Sequence, residues 1–381
     1  MRKRIIILGS TGSIGCDALE VAAALRGEVE IVGLAARRNW RRLAEQARRF
    51  GVRDVAIWDA RGAEALRDAC PSDVHVRSGP DGAAALVRET DCDLVLAAIV
   101  GAAGLPATLA AVERGIDVAL ANKESLVVAG SLLVPLARAR GCRLIPVDSE
   151  HSAVFQAMQA GRPAEVRRVV LTASGGPFRD WPAERIAGAT LAEALNHPTW
   201  EMGPKITVDS ATMMNKALEV IEAVWLFDLP PERVEVLVHP ESIVHAMVEF
   251  CDGSTIAQLG VPDMKTPIQY AITYPRRTPG LAKPLRWTEV KSLNFESPDF
   301  ERFPALRLGY EAARRGGSAG AVLNAANEAA VELFRRERIR FGQIAQLAER
   351  VLRRHEWIAN PTLAQLLACD AWARQEVDRC C

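Results

Sequence analysis

The chain has 381 residues, 49% hydrophobic by count and 25% charged, with 47 Lys+Arg balanced by 47 Asp+Glu. Such a chain can bury more than one core, and its length suits two or three domains. Balanced charge exerts no global pull toward nucleic acid or a membrane surface, so neither is expected as a partner.

Residues 4–8 (Arg-Ile-Ile-Ile-Leu) form a β-branched apolar run of the kind buried in a parallel sheet. They lead into Gly9-Ser-Thr-Gly12-Ser-Ile-Gly15 and an alanine-rich helix to about Leu25. Glycines at a strand–helix turn let the backbone approach a pyrophosphate, whose charge then rests on the helix N-terminus. The spacing is GxxGxxG rather than the usual GxGxxG, and a plain tight turn would also fit; the place directly after the first strand favours a dinucleotide. Met1-Arg2-Lys3-Arg4 before this run resembles the start of a secretory signal, but the apolar stretch is too short and ends in glycines. Eight cysteines lie scattered with no CxxC or Cys/His zinc spacing, as suits a reduced cytoplasmic chain.

The second strand, Val29 to Ala35, ends in Ala36-Arg37-Arg38-Asn39. Enzymes that hold NAD place an acid here for the ribose hydroxyls; a guanidinium pair suits a 2′-phosphate, and hence NADPH. A basic helix start on the surface would look the same. Strands at Asp54 to Trp58, Leu94 to Ala98, Val118 to Leu120 and Arg143 to Val147 alternate with alanine-rich helices, a doubly wound α/β domain ending near 148. The uncharged stretch Leu94 to Val112 is broken by Gly101, Gly104 and Pro106, so it reads as buried strand, turn and helix rather than a membrane span. Ala121-Asn-Lys-Glu-Ser-Leu-Val127 follows a strand where open sheets bind ligands, which makes Lys123 and Glu124 candidates against a solvated turn.

At the end of the last strand, Asp148 and Glu150 are two apart and in extended chain would point to one side. With Glu219 they would supply three carboxylates, a set suited to Mg²⁺ or Mn²⁺ rather than zinc, although Asp-x-Glu pairs are common on surfaces. Val169 to Thr172 reads as a strand before a hydroxyl/glycine turn, Ala173-Ser174-Gly175-Gly176, which is either an anion seat or a flexible turn. The stretch 197–223 opens with an irregular loop carrying His197, Trp200, Met202 and Gly203. A short β-like run (Lys205 to Val208) is expected next, then Asp209-Ser210 as a helix N-cap and a helix from about Ala211. Asn215, Glu219 and Glu222 share one helix side, with Lys216 three before Glu219. Hydroxyls at a helix start, with an amide and an ammonium one turn in, make a plausible phosphate seat. A solvated Lys/Glu face reads equally well.

Residues 234–250 and 254–260 alternate apolar and polar around Asp252-Gly253, a hairpin signal. With 166–172 and 205–208 they imply a small central sheet. The Pro-rich region 275–304 is a wrapping connector, and about 305–316, 319–335, 341–354 and 361–378 read as amphipathic helices.

The motifs GSTGSIG (9–15), ANKESLV (121–127), VDSEHSA (147–153), LTASGGPF (171–178), HPTWEMGPKITVDSATMMNKALEVIEA (197–223), HPESIVHAMVEF (239–250), LGVPDMKTPIQYA (259–271) and NAANEAAV (324–331) resemble, in order and nearly end to end, those of 1-deoxy-D-xylulose 5-phosphate reductoisomerases. The resemblance implies an α/β protein: an N-terminal Rossmann-like doubly wound NADPH-binding domain (1–148), a central α+β catalytic domain (149–285), a linker (286–304) and a C-terminal helical domain (305–381). It implies conversion of 1-deoxy-D-xylulose 5-phosphate to 2-C-methyl-D-erythritol 4-phosphate with NADPH and a divalent metal (Mg²⁺, Mn²⁺ or Co²⁺), in the non-mevalonate route to isoprenoids, by a cytoplasmic homodimer. Matched motif by motif, the metal ligands are Asp148, Glu150 and Glu219, and the catalytic residues Lys123, Glu150, His197 and Glu219. Ser149, Ser174, Ser210, Asn215 and Lys216 join Lys123, Glu150, His197 and Glu219 in holding substrate, with Ser174, Ser210, Asn215 and Lys216 at the phosphate. Thr11, Gly12, Ser13, Ile14, Arg37, Arg38, Asn39, Asn122, Glu124 and Gly203 would contact NADPH. Many relatives carry glycine where Arg37 stands, which leaves its role open. The loop with His197, Trp200 and Met202 matches the family's mobile lid, whose aromatic side chain would shed water over the substrate. His151 and His245 fit packing or supporting roles better than direct chemistry. Two other classes remain to be told apart: a different NADP-linked dehydrogenase, which would need no metal carboxylates, and a non-catalytic NADP-binding regulator.

Overall fold

The computed structural model describes residues 2–25, 27–200 and 202–381, so Met1, Arg26 and Glu201 lie outside the described residues. By contacts the chain divides into two compact units: residues 1–125, 133–152 and 263–283, and residues 126–132, 153–262 and 284–381. The sequence points instead to three domains and a linker, with boundaries at 148, 285 and 304.

In the first unit strand and helix alternate: β1 (Lys3–Leu8), α1 (Ser13–Ala24), β2 (Val29–Ala36), α2 (Trp40–Phe50), β3 (Asp54–Ile57), α3 (Ala60–Ala69), β4 (His75–Ser78), α4 (Gly82–Glu89), β5 (Leu94–Ala97), α5 (Leu105–Glu113), β6 (Asp117–Leu120), α6 (Lys123–Arg140), β7 (Leu144–Pro146) and the start of α7 (Ser149–Ala157). Among the described residues the strands form a parallel sheet in the order β4-β3-β2-β1-β5-β6-β7. Ile5, Ile6, Ile7 and Leu8 are all fully buried, as expected of a central strand covered on both faces. The order turns back between β1 and β5, which puts the glycine turn after β1 at the switch point where such sheets bind ligands. β4, a short edge strand of sequence His-Val-Arg-Ser, carries too little apolar signal to be read from sequence.

In the second unit β8 (Val166–Ala173), β9 (Val234–Val238), β10 (Val244–Phe250) and β11 (Thr255–Leu259) form a sheet in the order β11-β10-β8-β9. Around it come α8 (Ala183–Ala187), α9 (Leu191–Leu195), α10 (Pro204–Ala211) and α11 (Met214–Phe227), then α13 (Ala305–Arg315), α14 (Ala319–Arg335), α15 (Gln343–Arg354) and α16 (Leu363–Cys380). The remaining helix, α12 (Lys265–Thr273), packs on α1 in the first unit. One apolar core joins β8, β9 and β10 to α11, α13, α14 and α15, so the C-terminal helices share a core with the sheet. Within the connector, Glu296 pairs with Val238, and His239 donates through Nδ1 to the Asn294 carbonyl at 2.8 Å and stacks on Phe295.

Four local expectations are corrected. Lys205 to Val208 is helix, not strand: Pro204 opens α10 at a first-turn position that proline favours, and the Lys205–Asp209 ion pair at 2.8 Å spans one turn. Asp209 and Ser210 therefore close α10 rather than cap the next helix, and the chain turns through Met213 (φ 61°) before α11 begins. Residues 234–250 are two strands around a turn at His239–Ile243, and β9 runs parallel to β8. Finally, Asp148 and Glu150 are not in extended chain; Asp148 precedes α7 and accepts the Glu150 N–H at 3.3 Å, while Glu150 sits in the first helical turn.

Candidate functional site

Gly9 has φ +82°, and a Cβ on it would lie 2.4 Å from the Ala98 carbonyl oxygen, so only glycine fits beside β5 there. Ser10 is fully buried and its hydroxyl and carbonyl are both bonded to the Gln46 amide at 2.8 Å, which fixes the turn against α2. Gly12 and Ser13 are exposed and Thr11 and Ile14 half-buried, and no side chain caps α1. An uncapped helix start behind a glycine turn is a ready seat for a pyrophosphate. At the next strand end Arg37, Arg38 and Asn39 are all exposed, and Asn39 caps α2 by accepting the Arg42 N–H at 3.2 Å.

Deeper in the same unit, α6 begins at the end of β6 and carries Lys123 inward. Lys123 Nζ lies 2.6 Å from Asp148 Oδ2, with side-chain exposures of only 7% and 10%. His151, fully buried, places Nδ1 3.1 Å from Asp148 Oδ1. Burial would push the Asp148 carboxyl up, but the Lys123 ammonium and the His151 hydrogen bond hold it well below the usual carboxylate range. Ser149 donates its hydroxyl to Glu150. Asn122 reaches Glu124 at 2.9 Å and the Gly101 carbonyl at 3.0 Å, and accepts the Ser125 hydroxyl. The cluster thus combines a fixed ammonium with the Asp148 carboxylate held in its charged form and further carboxyl oxygens beside it, a hard-oxygen set suited to Mg²⁺ or Mn²⁺.

In the second unit the glycine turn after β8 and the end of α10 meet. Gly176 has φ +68°, and a Cβ there would approach the Ser210 carbonyl oxygen to 2.7 Å. Ser174 Oγ accepts the Gly176 N–H at 3.2 Å and stands 3.0 Å from His197 Nε2. His197 Nδ1 accepts the N–H groups of Thr199 and Trp200, so the neutral ring carries its proton on Nε2 and donates it to Ser174. Burial lowers the His197 pKa, which keeps the ring in that neutral form. The break at Met213 then starts α11 afresh, with Asn215 half-buried, Lys216 buried and Glu219 fully buried. Asn215 donates to Glu219 Oε1 and Lys216 to Glu219 Oε2. A solvated Lys/Glu face is excluded, because this stripe is interior. Desolvating a lysine and a glutamate is costly unless they are paired, and a helix surface has no need of it.

Ser174, His197, Ser210, Asn215, Lys216 and Glu219 all belong to the second unit, whereas Lys123, Asp148, Ser149 and Glu150 belong to the first. His151, expected in a packing or supporting role, is bonded to Asp148. One feature has no local signal in the sequence. Asp209, buried to 1% exposure, is held by Lys205 and by Asn327 Nδ2 at 2.8 Å, which ties α10 to α14. The NAANEAAV motif contained Asn327, but nothing local says that an amide there meets a carboxylate 118 residues away. His245 is buried beside the loop, its ring 6.3 Å from that of Trp200, and desolvation pushes its pKa down to about 4.

Residues 5–130 match the family model for 1-deoxy-D-xylulose 5-phosphate reductoisomerase, residues 144–227 its C-terminal domain model, and residues 259–376 a DXP reductoisomerase C-terminal domain model. Curated reductoisomerases of that name from Chloroherpeton thalassium and Symbiobacterium thermophilum are 50% and 51% identical, each over 98% of this chain and 97% of the relative. The Zymomonas mobilis enzyme solved with NADPH superposes with a TM-score of 0.94 at 42% identity, covering 100% of this chain and 99% of that one. A DOX-P reductoisomerase solved with NADPH, fosmidomycin and magnesium also reaches 0.94, at 38% identity over 99% and 98% of the two chains. Likeness of this extent, in sequence and backbone alike, assigns the chain to the 1-deoxy-D-xylulose 5-phosphate reductoisomerase family.

Proposed function

We propose that this protein rearranges and reduces 1-deoxy-D-xylulose 5-phosphate to 2-C-methyl-D-erythritol 4-phosphate, using NADPH and a divalent metal. The observation that carries the reading is the buried Lys216–Glu219 pair one turn into a helix whose neighbourhood holds Ser210 and the Ser174 turn. Hydroxyls, an amide and an ammonium are the donors that a phosphomonoester's oxygens accept. Ser174, Ser210, Asn215 and Lys216 bind the phosphate, and His197, donating through Nε2, joins Ser174 there. Trp200, on the loop before α10, covers the substrate and sheds water.

Asp148, Glu150 and Glu219 would hold the metal. The donor set fits one: all are hard carboxylate oxygens, and Asp148 stays ionised between Lys123 and His151. A divalent cation held there would supply Lewis acidity to the substrate's oxygens. Lys123 steadies charge at the hydroxyl end of the substrate, and Glu150, within reach of the Ser149 hydroxyl, takes up or returns the proton that moves between hydroxyls. The Gly9–Gly12 turn, Ser13 and Ile14 seat the pyrophosphate of NADPH, Arg38 and Asn39 its 2′-phosphate, and Asn122, Glu124 and Gly203 the rest. The resemblance also supports a cytoplasmic homodimer. The exposed edge strand β11, with Ile256 at 39% exposure, offers a surface for self-association, and no described helix is long and apolar enough to cross a membrane.

The test is NADPH oxidation by purified protein with 1-deoxy-D-xylulose 5-phosphate and Mg²⁺ or Mn²⁺, repeated with a chelator. Oxidation that stops with the chelator is expected. Oxidation indifferent to it would remove the metal assignment, and none by protein that still binds NADPH would favour a non-catalytic binder.

A further inference from the structure

Arg37 is the cofactor-loop residue whose role the resemblance leaves open, and the structure gives its guanidinium a partner. Arg37 Cζ lies 5.5 Å from the centroid of the Trp58 ring, within cation–π range. The two residues sit side by side at the carboxyl edge of the sheet: β2 and β3 pair up to Ala36 and Ile57, and each is the next residue along. The backbone there is pinned, because Trp58 N–H donates to the Ala36 carbonyl at 3.1 Å and Asp59 N–H to the Arg37 carbonyl at 2.9 Å. Asp59 in turn caps α3 by accepting the Gly62 N–H at 2.8 Å. The indole therefore stands on a rigid strand end, yet 47% of it is exposed. Arg37, Arg38, Arg41 and Arg42 form no ion pair among the described residues, so this corner sets an exposed aromatic face beside unpaired guanidinium groups.

In a doubly wound sheet the dinucleotide runs along this edge, with its pyrophosphate on the turn after β1 and its adenosine ribose at the end of β2. Here β3 lies beyond β2, on the side away from β1 and β5. A base attached to a ribose at the end of β2 and directed away from the switch point meets the residue that follows β3, which is Trp58. We propose that Trp58, braced by Arg37, is the platform on which the adenine of the cofactor stacks, and that this leaves Arg38 to hold the 2′-phosphate. The inference rests on the NADPH reading given above and adds a specificity-determining residue to it. It separates two kinds of recognition: Trp58 reads the base, which NADPH and NADH share, and Arg38 reads the phosphate, which they do not.

The experiment is equilibrium binding by calorimetry of NADPH, NADH, adenosine 2′,5′-bisphosphate and reduced nicotinamide mononucleotide to wild type and to Trp58→Ala, Trp58→Phe, Arg37→Ala and Arg38→Ala. Loss of a base–aromatic stack weakens binding by about tenfold. Trp58→Ala should weaken NADPH, NADH and the bisphosphate by a similar factor of about ten, leave the mononucleotide unchanged, and be largely restored in Trp58→Phe. Arg37→Ala should weaken NADPH and NADH by one common, smaller factor. Arg38→Ala should weaken NADPH and the bisphosphate but not NADH. Wild-type affinities in Trp58→Ala, or a loss confined to the 2′-phosphorylated ligands, would overturn the platform, and a loss that extends to the mononucleotide would mark a general structural effect and overturn it too. Wild type that binds neither NADPH nor the bisphosphate would instead sink the cofactor reading on which the inference stands.

Discussion

Burial of the Lys216–Glu219 pair, at 3% and 1% side-chain exposure, changes what each partner contributes. Removing one member of a buried ion pair leaves an uncompensated charge in low dielectric, a loss of about 3–5 kcal/mol. Lys216→Ala should therefore lower unfolding stability measurably and raise the Michaelis constant for the ketose phosphate about tenfold or more, with NADPH affinity unchanged. An unaltered Michaelis constant in steady-state kinetics would remove Lys216 from the phosphate seat. Glu219→Gln should cut turnover at least about a hundredfold, since metal-based charge stabilisation is worth several kcal/mol, while calorimetry shows NADPH binding intact. His245 carries a pH dependence whose direction follows from its burial. The unfolded imidazole, with a pKa near 6.5, takes a proton that the folded ring declines until about pH 4. The unfolded state thus binds more protons in that window, so stability is full above about pH 6.5 and falls as the pH drops toward 4. The loss is about 3 kcal/mol for a shift of this size, and urea unfolding of His245→Gln across that range should show a flatter slope than wild type.

Two helices and one turn set the geometry of the proposed phosphate seat. The sequence 204–223 reads as one uninterrupted amphipathic stretch once its helical character is granted, yet the chain breaks it at Thr212–Met213, with Met213 in the left-handed region. A methionine at φ 61° is disfavoured by roughly 1 kcal/mol or more, and it persists because its side chain is 3% exposed within the core. The Gly175-Gly176 turn packs into the corner so formed, against Ser210. Gly176→Ala would force a Cβ toward a backbone oxygen in a conformation that alanine avoids. Substrate affinity should fall about tenfold or more while NADPH binding, measured separately, stays at the wild-type value. The α10–α14 tie makes a further element-scale prediction. Asn327→Ala removes one partner of the buried Asp209 carboxylate, and thermal unfolding should show a loss of about 1–3 kcal/mol.

The two compact units divide the candidate residues between them: the first holds the glycine turn, the arginine corner and the Lys123–Asp148 pair, the second the proposed phosphate donors and Glu219. A ligand that binds the folded state stabilises it by mass action, so NADPH at a hundred times its dissociation constant should add about 2.7 kcal/mol to unfolding stability with no metal present. The absence of such a shift in a thermal melt would contradict the cofactor assignment without touching the phosphate seat.

The sheet of the first unit was legible because buried parallel strands are continuous β-branched runs and the turns between them carry glycine; both signals are local, as at Ile5–Leu8 and Gly9. The C-terminal helices were legible for the same reason, through apolar spacing that α13 to α16 follow within a few residues. The candidate site was legible as residue types in long motifs, but not as geometry. Ile206 and Val208 have the composition of a strand, and only the proline start, the Lys205–Asp209 turn and burial against α14 make them helix. Asp148 and Glu150 were paired on an extended-chain argument that α7 does not respect. Whether Lys216 and Glu219 face water or the interior, and which distant side chain meets Asp209, depends on what packs over them. Tertiary packing removes the water that would otherwise solvate these groups, and a single stretch of chain holds no record of that packing.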